Sequence, residues 1–165
     1  MYEEMRKSII VLFIVLLSVV GACSNQETPP EEHHQKEQHE SAGDLREETA
    51  STDELPTFLD GKPEDMKTLY TAVSQHQALL ESIPCYCGCG ESVGHRDNYD
   101  CFIHQNNDDG SLVWDDHATK CQACLDIAAE SIIEFSNGKS IKEIRNMIDQ
   151  QYEEGYPAPT PTPEV

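Results

Sequence analysis

A proline- and glycine-rich stretch interrupts the chain at residues 83–90, which read IPCYCGCG. Pro84 ends any helix that reaches it, because its ring clashes with the preceding turn and its nitrogen carries no hydrogen. Three cysteines follow at alternate positions, Cys85, Cys87 and Cys89. In an extended segment, side chains at alternate positions point to the same side. The pattern therefore predicts a loop that presents three sulfurs together.

Helical periodicity flanks this loop on both sides. Apolar residues recur at three- and four-residue steps over residues 66–83 and predict a helix that ends at Pro84. A second helix is predicted to begin at Asp115 or Asp116 and to stop at the Asn-Gly pair at residues 137–138. The cysteine-bearing loop therefore lies between two predicted helices.

A third helix is predicted after Ser140, which has the spacing of a capping box with Glu143. The second and third helices should pack as a hairpin. Residues 24–56, in contrast, are rich in Glu, Gln, Ser and Thr and hold few large apolar side chains, so they cannot bury enough surface to become ordered. We therefore expect a mainly α fold, in which a small helical domain with a glycine-rich Cys/His loop is flanked by disordered tails.

The amino terminus has the pattern of an export signal. A basic pair precedes an apolar run at residues 9–20, which is shorter than the roughly 20 apolar residues that a permanent transmembrane helix needs. Residues 20–23 read VGAC and resemble the bacterial lipobox, which implies that Cys23 is lipidated. The chain would then be a lipid-anchored protein on the extracytoplasmic face of the cell membrane. An ordinary secretory signal cut near Ala22 is the alternative.

These patterns divide the chain into four segments. We expect a lipoprotein signal peptide at residues 1–22, a lipidated, acidic and flexible tether at residues 23–56, the helical domain at residues 57–156, and a proline-rich tail at residues 157–165. The formal net charge is -20, which repels the phosphates of nucleic acids. The charge therefore excludes nucleic acid as a partner.

Cysteine and histidine residues carry the chemistry that the sequence predicts. Lipidation at Cys23 leaves six further cysteines, which are Cys85, Cys87, Cys89, Cys101, Cys121 and Cys124. His117, Cys121 and Cys124 are spaced as i, i+4 and i+7, so on one helix they would share a face. Thiolate and imidazole are ligands that copper and zinc prefer. We therefore predict a metal site formed by these six cysteines and His117, with His95 and His104 as weaker candidates.

The sulfur-rich spacing favours copper(I) slightly over zinc(II), although a closed structural zinc site would use the same residues. Two other interpretations stay open. Six cysteines in an exported domain can form disulfides, and a Cys-x-x-Cys pair can exchange them with another protein. No serine triad, paired-carboxylate site or phosphate-binding loop is evident, so no catalytic residue is assigned and we do not expect an enzyme.

The segment IPCYCGCG at residues 83–90 resembles the signature of the PCYCGC-motif lipoprotein family of Gram-positive bacteria. The resemblance continues through Asp100-Cys101-Phe102 to residues 121–124, and it spares both tails. It implies a lipoprotein and gives no established biochemical role. Together with the residues, it leads us to expect a protein that sequesters, buffers or delivers a soft metal, with an exported metalloprotein or a metal transporter as its partner.

Overall fold

The structure, a computed structural model, describes residues 38–41 and 43–165 of the chain. All of these residues belong to one compact unit, Gln35–Val165. The expected signal peptide at residues 1–22, the lipidated Cys23 and the first part of the expected tether lie outside the described residues. Within the described residues, no helix combines the length and the apolar composition that crossing a membrane requires.

A four-stranded antiparallel sheet forms one side of the fold, so the mainly α prediction was wrong and the fold is mixed α/β. In spatial order the strands run β1-β2-β4-β3. Their bounds are β1 Gln38–Ser41, β2 Asp44–Thr49, β3 Ile103–Asn106 and β4 Leu112–Asp115. Two of the four strands come from the acidic segment 23–56, which we expected to be flexible.

Polar contacts explain why the sequence pattern did not predict strand β2. Its sequence, DLREET, has a single large apolar residue and no apolar alternation. The strand is instead held by Arg46, whose Nε lies 2.9 Å from Oδ2 of Asp115, and by Thr49, whose hydroxyl accepts a 2.8 Å bond from Trp114 Nε1. Glu47 is fully buried and accepts hydrogen bonds from the backbone nitrogen and the hydroxyl of Thr57. Satisfied polar groups can be buried in this way, but they leave no periodic signal.

Five α-helices and three short 3₁₀ turns complete the described part of the chain. The helices are α1 Glu64–Ser74, α2 Gln77–Leu80, α3 Gly90–Val93, α4 Gln122–Ser136 and α5 Ile141–Gln151. The 3₁₀ turns are Thr57–Leu59, Tyr99–Cys101 and His117–Lys120. The first predicted helix is therefore two helices, α1 and α2, which Gln75 and His76 separate. The second of them ends before Pro84.

The second predicted helix begins later than expected. Asp115 ends β4, His117–Lys120 is a 3₁₀ turn, and α4 begins only at Gln122. The predicted third helix is confirmed as α5. Its capping box is complete, because Ser140 accepts from the backbone of Glu143 and donates to that residue's carboxylate.

An aromatic core joins the sheet to the helices. Tyr70 of α1 lies edge-on to Phe102, with ring centroids 4.9 Å apart, and close to Trp114 of β4 at 6.1 Å. The Tyr70 hydroxyl also donates a 3.0 Å bond to the carbonyl of Asp115. This packing fixes the ends of β4 and of the Tyr99–Cys101 turn, which lead into the cysteine-bearing segments.

The proline-rich tail packs on the cysteine loop. The backbone nitrogen of Cys85 donates to the Thr160 hydroxyl at 2.9 Å, and Thr160 in turn donates its own backbone nitrogen to the Cys85 carbonyl at 3.1 Å. Farther along the tail, the Arg145 guanidinium of α5 donates to the hydroxyl of Thr162. Residues 157–165 therefore pack on the surface of the fold, and the expectation of a disordered tail was wrong.

Candidate metal centre

The IPCYCGCG loop brings its three sulfurs into one region. The sulfurs of Cys85 and Cys87 lie 3.0 Å apart. Gly88 then takes a left-handed φ of 77°, which turns the chain before Cys89 caps α3. The Cys89 thiol points back to the Cys87 carbonyl at 3.8 Å, and its sulfur lies within 4.8 Å of the Cys87 sulfur. The loop is not extended throughout, but its three sulfurs still lie close together.

Two more cysteines reach Cys85 from other elements. Cys101 ends the Tyr99–Cys101 turn, and its sulfur lies 3.6 Å from that of Cys85. Cys124 lies in the first turn of α4, and its sulfur is also 3.6 Å from Cys85. All three side chains are buried. Four sulfurs from three separate segments therefore meet around Cys85.

Cys121 borders this group. It precedes α4 with an extended backbone, and its thiol is half-buried. The thiol lies near enough to Cys124 and Cys87 for hydrogen bonding with both to affect its pKa. His117, Cys121 and Cys124 therefore do not lie on one face of a helix, contrary to the prediction. His117 begins a 3₁₀ turn, and Cys121, whose backbone is extended, lies between that turn and α4. The three side chains reach the same region by a different path.

One ring nitrogen of His117 faces the sulfur cluster, and the other ring nitrogen faces a carboxylate. Its Nε2 lies 3.8 Å from the Cys87 sulfur, and its Nδ1 lies 3.0 Å from Oδ2 of Asp44 at the start of β2. Such a carboxylate fixes the ring orientation and raises the basicity of the opposite nitrogen, as it does behind many metal-bound histidines. Hydrogen bonding with Cys87 and the nearby Asp44 charge raise the pKa of His117 to about 9.

His95 is buried beside His117. The two rings are perpendicular, with centroids 4.7 Å apart. The His95 side chain is 2 % exposed, and neither of its ring nitrogens has a hydrogen-bond partner among the described residues. Its Nε2 lies 3.8 Å from Oδ2 of Asp115, which is beyond hydrogen-bond reach. An unsatisfied buried polar group is uncommon in native proteins and calls for an explanation.

His104 is the predicted candidate that stays apart. It lies on β3, and its Nε2 is 3.2 Å from Nη1 of Arg46. Burial and the Arg46 charge lower the pKa of His104. Four groups of three metal-binding donors, each with donor atoms within 4.8 Å of one another, occur among the described residues, and none includes His104. These groups are Cys85/Cys87/Cys124, Cys87/Cys89/His117, His95/Cys101/His117 and Asp44/His95/Asp115.

The thiols polarise one another. Cys87 accepts hydrogen bonds from neighbouring thiols, that of Cys101 first, and these bonds hold its pKa far below the ordinary value. In Cys89, burial and the neighbouring Cys87 raise the pKa to about 11. All six described cysteines are free. Cys85 and Cys87 are thus cysteines whose pKa is lowered, and the Cys87 sulfur lies next to the imidazole of His117.

Sequence reasoning missed Asp44 and Asp115, which lie behind the two histidines. Asp44 stood in the segment taken for a tether, and it is separated from His117 by 73 residues, so no local pattern could pair them. The Asp115-Asp116-His117 run was visible but was interpreted as a helix start. A cavity of about 560 Å³ opens between the loop and the tail, with Cys85 and His95 in its lining.

A family model described as a protein of unknown function with PCYCGC motif matches residues 11–165. The chain belongs to this family. The predicted resemblance is thereby confirmed, and the PCYCGC motif is the segment that carries Cys85, Cys87 and Cys89. Nothing in the family match indicates catalytic activity. No curated protein and no solved structure matches the chain.

Proposed function

We propose that this PCYCGC protein binds a soft metal ion at the sulfur group Cys85, Cys87 and Cys124, and that it sequesters, buffers or delivers that ion outside the cytoplasm. The observation that carries the proposal is the convergence of the Cys87 and Cys124 sulfurs on that of Cys85, at 3.0 and 3.6 Å.

The sulfur separations support the proposal quantitatively. Two sulfurs bound to one tetrahedral ion at about 2.3 Å lie about 3.8 Å apart. The distance from Cys85 to Cys124 is 3.6 Å, close to that value. The 3.0 Å approach of Cys85 and Cys87 needs a modest opening before both can bind the same ion. Thiolates bind both copper(I) and zinc(II), and the sulfur-rich, closely spaced donors favour copper(I) slightly.

Metal content tests the proposal. The full chain with Cys23→Ser, which leaves only the six clustered cysteines, is purified in detergent under reducing conditions without chelator. We expect stoichiometric metal by native mass spectrometry. Cys85→Ser should weaken copper(I) binding at least about tenfold against a competing chelator, since it removes the central ligand of the group. Cys89→Ser is the matched control in the same loop and should change the affinity less. A metal-free parent chain would overturn the proposal.

The proposed location depends on Cys23. A diacylglyceryl group there would hold the acidic domain at the outer face of the membrane, because each buried methylene contributes about 0.8 kcal/mol. The partner would be an exported metalloprotein or a metal transporter. Growth with an alkyne-tagged fatty acid should label the parent chain in the membrane fraction, and Cys23→Ser should abolish the label. A label that survives in Cys23→Ser would contradict the anchor.

A further inference from the structure

The cluster holds more donors than one ion needs. A closed structural site uses four ligands, whereas six thiols and the imidazoles of His95 and His117 lie in or beside the cluster. The sulfur group already defined shares no residue with a mixed group formed by His95, Cys101 and His117. All three members of the mixed group are buried.

His95 supplies an observation that is independent of the cysteines. Burying an imidazole with both nitrogens unpaired carries the full desolvation cost of both nitrogens. The ring is nevertheless enclosed, 2 % exposed, between His117 and Asp115. Gly94 directly before it takes a left-handed φ of 78°, which turns the chain inward. A bound cation would give this ring the partner that the described residues do not provide within hydrogen-bond distance.

The carboxylates near the two histidines favour a positive ion at the mixed group. Asp44 lies behind His117, with its Oδ2 3.0 Å from Nδ1, and Asp115 lies 3.8 Å from His95. A hydrogen-bonded carboxylate such as Asp44 orients a metal-binding histidine and increases its basicity. With the Cys101 thiolate the two carboxylates offset a divalent charge, although Arg46 already pairs with Asp115 at 2.9 Å.

We propose that the centre holds two ions side by side, a thiolate-bound copper(I) at the sulfur group and a borderline divalent ion such as Zn²⁺ at the mixed group. The inference rests on the proposed function for the first ion and adds the second. Imidazole with one thiolate suits zinc, whereas three thiolates suit copper(I). The two positions are adjacent, because Cys85 and Cys101 are 3.6 Å apart and Cys87 lies 3.8 Å from His117.

Metal counting separates the two positions. The full chain with Cys23→Ser, in detergent and without oxygen, is loaded with copper(I), then with Zn²⁺, and its bound ions are counted by native mass spectrometry. We expect one copper and one zinc. His95→Gln should keep the copper and lose the zinc, Cys124→Ser should keep the zinc and weaken the copper, and the control His76→Gln, outside every donor group, should keep both.

Each failure has its own meaning. A parent chain without any metal overturns both proposals, whereas one copper without zinc, or two coppers without zinc, overturns only the second ion. Zinc retained by His95→Gln also overturns it. If His95→Gln does not fold, the spectrum of Co²⁺ in the copper-loaded parent decides without any further variant. A thiolate-to-Co²⁺ charge-transfer band with the intensity of a single thiolate supports the mixed group. A band with the intensity of three or more thiolates refutes it.

Discussion

At the scale of single residues, burial acts on carboxylates beside the cluster as well as on thiols. Asp97 is buried next to Asp100, and its Oδ1 accepts a 3.0 Å bond from the Asp100 backbone nitrogen. Burial first, and the Asp100 charge second, raise the pKa of Asp97 to about 6 from 3.8. The folded state therefore binds this proton more tightly than the unfolded chain does.

Asp97 should make stability depend on pH. The stabilisation from its proton is complete below pH 3.8 and is lost as the pH rises through about 6. Asp97→Asn keeps an oxygen for the Asp100 bond and removes the charge, so it should raise the free energy of unfolding at neutral pH, by up to about 3 kcal/mol. Urea unfolding at neutral pH and near pH 4 measures this gain, which should vanish at the lower pH. Asp53→Asn, at an exposed site, is the control, and an equal gain at both pH values would contradict the argument.

At the scale of elements, two glycines of the cysteine loop leave the room that the proline-rich tail occupies. A Cβ at Gly88 would lie 2.7 Å from Pro157 Cγ, and one at Gly90 would lie 2.5 Å from the Thr160 methyl group. Gly94 has nearly the same left-handed φ as Gly88, 78° against 77°, but nothing lies within 4 Å of its Cβ position. Comparing substitutions at Gly88 and Gly94 therefore separates the effect of backbone strain from the effect of contact with the tail.

Gly88→Ala should therefore cost more stability than Gly94→Ala. Both pay the left-handed strain of roughly 1–2 kcal/mol, and only Gly88→Ala also displaces Pro157. Chemical unfolding of both variants, in the full chain and in a chain without residues 157–165, forms a double-mutant cycle. The two costs should become equal once the tail is removed. A difference that persists without the tail would show that the Pro157 contact does not restrict Gly88.

At the scale of the whole molecule, some local patterns were reliable, whereas pairings between distant residues could not be predicted. The capping box at Ser140 and the family signature are local, and both are confirmed. The sheet was missed because β2 is held by side chains from far along the chain, such as Asp115 and Trp114, and its own residues are polar. The cysteines were identifiable as a group, but no spacing rule could indicate that Asp44 lies against His117.

The corrected fold predicts which fragment can stand alone. A chain that begins at residue 57, the boundary expected from composition, lacks β2 with its Arg46–Asp115 and Thr49–Trp114 contacts. We expect its melting temperature to fall by roughly 10 °C or more relative to a chain that begins at residue 36. Thermal unfolding followed by circular dichroism measures this. Equal melting temperatures would mean that the sheet contributes little to the fold.

The bond between Cys85 and Thr160 spans 75 residues. Contacts between such distant segments form late, because the intervening chain must be closed into a loop first. The first cysteine of the motif therefore gains its partner in the tail only after Thr160 has been synthesised and has folded back onto the loop. An ion that requires this arrangement would bind after that step, and a nascent chain that has not yet reached Thr160 would not hold it.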